Sequence, residues 1–219
     1  MLGLLYDVHG NLPALEAVLS DCPAERFLLG GDYAVAGGWP RETVERLDGL
    51  DAEWIRGNTE RWLVDDSDLP EPMVDVAARA REALGDELVA RLTGLPESTT
   101  REGVLYCHAS PGSDMVGFAP QGDESDAELL RGVEERRVVF GHTHVQFARE
   151  AGGIELVNPG SVGLPFDGDH RAAYALVQDD GRVELRRVDY DWRRSADAAR
   201  ERAGDLPARR LEQASFDVA

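Results

Sequence analysis

Two histidines one residue apart, His142 and His144, come directly after a short apolar segment and Gly141. The chain has five histidines in all, so this spacing concentrates a scarce residue at one point. Two neighbouring imidazole rings are costly to bury unless something keeps both rings neutral, and a divalent metal ion bound through ring nitrogen does so. The pair therefore suggests a metal site at the end of a buried strand.

Other residues of metal-binding type follow short apolar segments in the same way. Asp7 and His9 follow the first such segment, Asp32 the second, Asn58 the third and His108 a later one. Each motif alone has an ordinary explanation as a turn or a hydrogen-bonded structural histidine. Together with Asn11, which stands two residues after His9, these motifs hold four of the five histidines and two of the three asparagines. Open α/β sheets bind ligands at the carboxyl ends of their strands. The predicted metal ligands are Asp7, His9, Asp32, Asn58, His108, His142 and His144.

The donor atoms of these side chains indicate which metals they would bind. Imidazole nitrogen combined with carboxylate and amide oxygen suits first-row divalent ions such as Mn, Fe, Zn or Ni. Seven such side chains are too many for one transition metal, but they suit two ions that share a carboxylate. Cys22 and Cys107 are the only cysteines, which excludes a thiolate zinc ribbon and a disulfide framework. Gly141 allows a tight turn that would aim His142 and His144 at different ions.

Strands and helices alternate in the part of the chain that must position these residues. The predicted strands are 2–6, 26–32 and 53–58, and the predicted helices are 11–22 and 40–50. Short apolar segments indicate the strands, helical spacing of apolar residues indicates the helices, and Asn11 stands where it can cap the first helix. This alternation is typical of a layered α/β fold.

The middle of the chain contains its longest helical pattern, over 72–92, which we expect to break near Gly85. Apolar segments at 103–108 and 136–142 predict two more buried strands, with a short helix over 126–133 between them. These two strands would carry His108 and the histidine pair to the same edge as the first three.

Residues 146–190 contain four strand-like segments with glycine-containing turns between some of them, which predicts an antiparallel, hairpin-rich second half. Residues 192–219 are charged and rich in alanine, and we expect a helix followed by a frayed tail. The loop at 110–126 follows His108 directly, so it is either a lid on the substrate side or an ordinary surface loop.

The composition limits the class of protein. A chain of 219 residues with 42% hydrophobic residues is large enough for one core, so we expect one domain over 1–190 with 191–219 as its charged C-terminal helix or tail. The formal net charge of −19 disfavours non-specific binding to nucleic acid. No signal peptide and no apolar segment of about 20 residues is visible, so we expect a cytoplasmic protein without a membrane span. A homodimer is compatible with the sequence, although no pattern indicates one.

The order of these motifs resembles the calcineurin-like metallophosphoesterases, and in particular their small single-domain bacterial and archaeal members. The resemblance extends over roughly residues 2–190 and includes the segment 158–165, "NPGSVGLP". It is carried by Asp7-x-His9, Gly31-Asp32, Gly57-Asn58, His108 and Gly141-His142-x-His144. It implies a four-layer α/β/β/α sandwich and a phosphoesterase with two divalent metal ions, of which manganese is favoured.

The resemblance also implies a role for each side chain. Asp7, His9 and His144 would bind one ion, and Asn58, His108 and His142 the other. Asp32 would bridge the two ions, together with a hydroxide that attacks the phosphorus of a small phosphate ester. Asp32, Asn58 and His108 would position the hydroxide and the phosphate, and Asn11 and Thr59 would contact the substrate.

Thr59 marks a departure from the resemblance, because many family members have histidine at this position and use it to protonate the leaving group. A threonine hydroxyl has no useful pKa near neutrality. Since members without this histidine tend to favour phosphodiesters, we expect a phosphodiesterase. The alternatives are a phosphomonoesterase or protein phosphatase, and a non-catalytic, metal-bound protein-interaction scaffold of the kind that a retromer subunit with this fold provides.

Overall fold

A computed structural model of the chain describes residues 1–218, which form two five-stranded sheets. The first sheet has the order β10-β9-β1-β2-β3. Its strands are β1 (Leu2–Leu5), β2 (Arg26–Leu29), β3 (Asp51–Trp54), β9 (Ala172–Val177) and β10 (Val183–Val188). The strands β1, β2 and β3 are parallel, whereas β9 and β10 are antiparallel to their neighbours. The carboxyl ends of β1, β2 and β3 therefore lie at one edge, as the sequence predicts.

The second sheet has the order β4-β5-β6-β8-β7. Its strands are β4 (Ser98–Arg101), β5 (Val104–Cys107), β6 (Arg137–Val139), β7 (Phe147–Ala151) and β8 (Ile154–Asn158). The strands β5, β6 and β8 are parallel, with antiparallel edge strands on both sides. The hairpins predicted over 146–190 are present, but they are divided between the two sheets. The edge strand β4 is absent from the sequence-based prediction because its residues are mostly polar and exposed, and it pairs only with β5.

Seven α-helices and one 3₁₀ turn (Glu71–Met73) are present in residues 1–218. The helices are α1 (Leu12–Asp21), α2 (Pro40–Asp48), α3 (Asn58–Trp62), α4 (Val74–Thr93), α5 (Asp126–Leu129), α6 (Trp192–Arg202) and α7 (Asp205–Gln213). Asn11 caps α1, since its side chain accepts a hydrogen bond from the Ala14 N–H at 3.3 Å. The predicted interruption at Gly85 is confirmed, with φ of 73° inside α4. None of these helices combines the length and the hydropathy required to cross a membrane.

The two sheets pack face to face, and alternate residues of each strand point to opposite sides. Leu4, Leu28 and Ala175 of the first sheet meet Val139 and Val157 of the second in a buried layer. The opposite face of the first sheet packs against α1, α2, α4, α6 and α7. The outer face of the second sheet is covered by α5 and the 110–126 loop. The predicted four-layer α/β/β/α architecture is therefore confirmed, with a thinner helical layer on the second sheet.

The 110–126 loop is anchored to this outer face. Phe118 is fully buried, and its ring lies 4.8 Å from that of Phe140. Ser110 and Ser113 exchange backbone hydrogen bonds at 3.0 and 3.2 Å. Arg149 of β7 also donates to the Ala119 carbonyl at 3.0 Å, so the middle of the loop is attached to the second sheet around Phe118.

The expected frayed tail is wrong for residues 205–213, which form α7. Ala208 and Leu211, three residues apart, are buried in the core of the first sheet together with Ala199 of α6. Four of the nine residues of α7 are charged and Pro207 stands inside it, so the segment resembles a polar tail in the sequence. Ala219 lies outside the described residues.

Candidate metal centre

The backbone is left-handed at five of the seven predicted metal ligands. A positive φ is uncommon for residues other than glycine. Such conformations are costly and cluster at functional sites, where the surrounding structure enforces them. In residues 1–218 there are eight such residues, and five of them are predicted ligands. These are Asp7 (φ 55°), His9 (φ 50°), Asp32 (φ 59°), His142 (φ 65°) and His144 (φ 57°).

Hydrogen bonds between neighbouring loops hold this backbone in place. The His9 N–H donates to the Asp32 carbonyl at 2.8 Å, which joins the loops after β1 and β2. The Asp7 carbonyl accepts from the Ser161 hydroxyl at 2.7 Å and from the Gly163 N–H at 3.0 Å. The segment 158–165 therefore stabilises the loop after β1, which carries Asp7 and His9.

Position 141 must be glycine because the backbone passes close to the Asp7 carboxylate there. A Cβ at this position would lie 2.4 Å from Asp7 Oδ2, so no larger residue fits beside that carboxylate. The turn that aims the two histidines begins one residue later than predicted. The positive φ values belong to His142 and His144 and not to Gly141.

Four of the predicted ligands form a first group, in which one donor atom from each lies within 4.8 Å of the others. The Nε2 atoms of His9 and His144 are 3.0 Å apart. Asp32 Oδ2 lies 3.6 Å from His9 Nε2, and Asp7 Oδ1 lies 3.6 Å from His144 Nε2. All four side chains are buried.

Hydrogen bonds on the far side of the rings fix the tautomers of His9 and His144. His9 Nδ1 lies 2.8 Å from the Val35 carbonyl and His144 Nδ1 lies 2.6 Å from the Leu164 carbonyl. A carbonyl only accepts, so each Nδ1 carries a proton. Burial lowers the pKa of both histidines, which keeps the rings neutral. The two Nε2 atoms then face each other as lone pairs, an arrangement that a cation between them would stabilise.

The other three predicted ligands form a second group beside the first. Asn58 Oδ1 lies 2.9 Å from His108 Nε2 and 3.0 Å from His142 Nδ1. His108 Nδ1 is 2.9 Å from the Gly30 carbonyl and therefore donates to it. Burial and the nearby His108 lower the pKa of His142 to about 4.

Charges within the second group act on His108 in opposite directions. Burial lowers its pKa, but the carboxylates of Asp32 and Asp7 outweigh burial and raise it. The carboxylates therefore favour the protonated form of this ring in the metal-free site, and a divalent ion would compete with that proton on binding.

Asp32 lies between the two groups. Its Oδ2 faces His9, whereas its Oδ1 lies 3.5 Å from His108 Nε2 and accepts from the Thr59 N–H at 3.0 Å. Asp7 Oδ1 is buried without a hydrogen-bond partner, although Oδ2 accepts from the His142 N–H at 3.0 Å. Burying a carboxylate oxygen without a hydrogen-bond partner lowers the stability of the folded protein. A bound cation would compensate for the missing partner. The donor set therefore fits a pair of divalent ions.

Glu60 is a buried residue of the site that the sequence-based prediction omits. Its carboxylate accepts from the backbone N–H groups of Asp32 at 2.7 Å, Tyr33 at 2.8 Å and Gly57 at 2.8 Å. Burial, followed by the charge of Asp32, raises its pKa to about 7. Glu60 thus joins the loops that carry Asp32 and Asn58. The sequence does contain a signal for this role of Glu60. It stands three residues after Gly57, which caps α3, and this is the spacing of a capping box.

The two predicted substrate contacts are buried in different surroundings. Asn11 Nδ2 donates to the Gly163 carbonyl at 2.7 Å, and Oδ1 accepts from the Ser195 hydroxyl at 2.8 Å. With its bond to the α1 backbone, the Asn11 side chain is fully engaged by protein groups. Thr59 is 2% exposed and its hydroxyl has no hydrogen-bond partner in the described structure. The third predicted strand ends earlier than expected, at Trp54, and Asn58 begins α3.

Comparisons with known proteins agree with this geometry. A family model, the calcineurin-like phosphoesterase superfamily domain, matches residues 1–181. The uncharacterized protein MJ0912 of Methanocaldococcus jannaschii is 27% identical over 222 residues, which cover 89% of this chain and 90% of that protein.

Solved structures show the same fold. A metallophosphoesterase from Sphaerobacter thermophilus is similar with a TM-score of 0.85 and 27% identity, over 97% of this chain and 99% of that one. The hypothetical protein PH1004 of Pyrococcus horikoshii OT3 has a TM-score of 0.77 and 23% identity, over 87% and 89% of the two chains. The family model covers most of the chain, and the predicted resemblance is confirmed. This chain belongs to the calcineurin-like phosphoesterase superfamily.

Proposed function

We propose that this chain is a dinuclear metal-dependent phosphodiesterase that hydrolyses small phosphodiesters. The observation that carries the proposal is the pair of adjacent donor groups on either side of Asp32, whose two carboxylate oxygens face different groups. The proposed catalytic domain comprises residues 1–190, with 191–219 as part of the same domain.

The proposed ligands divide as the two groups do. Asp7, His9 and His144 would hold one ion, Asn58, His108 and His142 would hold the other, and Asp32 would be shared between them. When bound, the two ions supply Lewis acidity that neutralises the phosphate oxygens and activates water for attack. Manganese is the metal we propose, although the same donors suit Fe, Zn and Ni.

The residues of the chain provide orientation and a dry environment. Backbone carbonyls fix the ring orientation of His9, His108 and His144, which keeps each Nε2 available as a donor. We assign the positioning of the attacking water and the phosphate to Asp32, Asn58 and His108. His108 Nε2 lies within 3.5 Å of both other side chains, so the three define one spot. Positioning of this kind supplies much of the rate enhancement in phosphoryl transfer.

Two features favour a diester over a monoester as substrate. A phosphodiester carries a single negative charge, so a protein with a net charge of −19 repels it less than a doubly charged monoester. Thr59 provides no general acid, which disfavours alkyl monoesters with poor leaving groups.

Replacing Thr59 with histidine is expected to raise kcat/KM for an alkyl phosphomonoester at least about tenfold, because general acid catalysis typically contributes more than this. Hydrolysis of bis-p-nitrophenyl phosphate should change little, since its leaving group needs no proton. Thr59→Val is the matched control that removes the hydroxyl without adding an acid. The explanation fails if Thr59→His retains both metals but shows no gain over Thr59→Val.

The proposed function is tested with chelator-stripped protein that is reconstituted with Mn²⁺. We expect metal-dependent hydrolysis of bis-p-nitrophenyl phosphate, with a kcat/KM above that for p-nitrophenyl phosphate. The opposite preference would indicate a phosphomonoesterase. Uptake of two metal ions per chain without turnover of either compound would favour a metal-bound interaction scaffold.

A further inference from the structure

A cavity of about 260 Å³ lies between the two sheets, at the edge opposite the candidate metal centre. The strands β1, β2, β5 and β6 begin beside it and run from there toward predicted metal ligands. Asp7 follows Leu2, which lines the cavity, by five residues, so at about 3.3 Å per residue the cavity and the centre are roughly 15 Å apart. The cavity is therefore separate from the metal centre.

Arginines occupy positions in this cavity where the strand pattern favours apolar residues. The cavity is lined by Arg26, Arg101, Arg136 and Arg137. Successive residues of a strand point to opposite faces, and Leu28 and Val139 point into the layer between the sheets. Arg26 and Arg137 stand two residues before them and so point to the same side. Four guanidinium groups thus converge on one small space in a chain whose net charge is −19.

Two of these arginines have no partner in the protein. Arg101 and Arg137 form ion pairs with glutamates of β3 and β8, at 2.9 and 2.7 Å. In residues 1–218, Arg26 and Arg136 have neither an ion pair nor a side-chain hydrogen bond. One of the two belongs to the first sheet and the other directly precedes β6 of the second. The cavity therefore has free cationic donors on both of its sides.

The acidic residues of the lining do not cancel this charge. They are Glu102 and Asp179. Asp179 Oδ1 lies 2.5 Å from the N-terminal ammonium group of Met1, which already neutralises it. Glu102 is exposed in the turn between β4 and β5 and forms no ion pair within residues 1–218. One exposed carboxylate thus stands against two free guanidinium groups, and the lining keeps an excess of positive charge.

The Tyr106 hydroxyl is a further donor without a partner. Tyr106 is 4% exposed, and its hydroxyl forms no hydrogen bond within residues 1–218, although buried tyrosine hydroxyls usually have a partner. Burial raises the pKa of Tyr106. The charged side chains that also act on this pKa all line the cavity, and they are Arg137, Arg101, Glu102 and Arg136. The hydroxyl therefore faces the cavity.

We propose that this cavity is a binding site for a phosphate group, free or on a small metabolite, that accepts hydrogen bonds from Arg26, Arg136 and the Tyr106 hydroxyl. A phosphate group on a metabolite has three acceptor oxygens for three separate donors, whereas a carboxylate has two. Guanidinium groups match phosphate geometry. The cavity is smaller than the roughly 300–1,000 Å³ of sites for drug-sized ligands, so the ligand is small. The inference is independent of the proposed function, because no residue of the lining is a predicted metal ligand.

The test measures binding of inorganic phosphate and of glycerol 3-phosphate to the full-length, chelator-stripped protein by calorimetry. Without metal ions, the metal centre cannot hold the phosphate. We expect Arg26→Gln, Arg136→Gln and Tyr106→Phe each to weaken binding at least about tenfold, since a hydrogen bond to a charged group contributes about that factor. Tighter binding of one compound identifies the form of phosphate that the site prefers, and acetate should bind more weakly than both.

Arg131→Gln, at the exposed end of α5, removes an equal charge and should keep the wild-type affinity. The inference is overturned if the stripped wild type binds neither phosphate compound, or if the three variants bind as the wild type does. Binding of phosphate to Mn²⁺-loaded protein alone would assign it to the metal centre and also overturn the inference. Urea denaturation in phosphate-free buffer separates binding from a structural role. Because Arg26 and Arg136 have no protein partner, their replacement should leave the free energy of unfolding unchanged, and a loss of stability in both variants would contradict a binding site.

Discussion

Replacement of Asp32 with asparagine is expected to lower Mn²⁺-dependent hydrolysis of bis-p-nitrophenyl phosphate at least about a thousandfold, because both donor groups lose a shared anionic ligand. The carboxylate has one oxygen toward each group, whereas an amide nitrogen has no lone pair to offer a metal. Metal analysis of the same samples should show two ions per chain in the wild type and fewer than two in the variant.

Asp180→Asn removes the same charge from the exposed turn after β9 and serves as the matched control. It should retain both metals and full activity. Wild-type turnover by Asp32→Asn at full metal content would contradict the assignment of Asp32 as the shared ligand.

Loss of the Glu60 carboxylate is expected to produce the largest effect on stability. Glu60→Ala would leave three buried backbone N–H groups without an acceptor. Each such group costs about 1–3 kcal/mol, so the free energy of unfolding should fall by roughly 3 kcal/mol or more. Glu60→Gln keeps one carbonyl oxygen and should lie between the wild type and Glu60→Ala. Urea denaturation of the metal-free proteins gives the free energy of unfolding of each and so tests this order.

Metal affinity provides a second test of the role of Glu60. Replacing a residue that orients metal ligands typically lowers the metal affinity about 10–100-fold. Glu60→Gln should weaken Mn²⁺ binding within that range, since its amide would face at least one backbone donor. Glu134→Gln, at an exposed position, should match the wild type in both measurements. Unchanged stability and unchanged metal affinity in Glu60→Gln would show that the three hydrogen bonds do not hold the site together.

The convergence of the seven predicted ligands could be anticipated because each lies within five residues of the carboxyl end of a strand, and these ends lie together in a parallel sheet. Glu60 could not be recognised as easily. Two of its three partners, Asp32 and Tyr33, lie 28 and 27 residues away in sequence, so its burial depends on tertiary structure. Its charge alone suggests an exposed position on a short helix.

The parts of the fold that were missed are rich in polar and charged residues. The strand β4 is polar and exists through its pairing with β5. The helix α7 buries Ala208 and Leu211 between charged residues, and its contribution becomes visible only with the first sheet in place.

The left-handed backbone at five ligands has a consequence for anyone who would transplant this centre into a designed scaffold. Each such residue costs on the order of 1–3 kcal/mol, so the loops will relax to ordinary conformations when they are grafted alone. The segment 158–165 and Glu60 must be transplanted together with the ligands, because their hydrogen bonds stabilise the loops that carry Asp7 and Asp32. A minimal transferable unit therefore includes residues that touch no metal, and copying the ligand types onto an idealised sheet edge will reproduce the composition of the centre without its geometry.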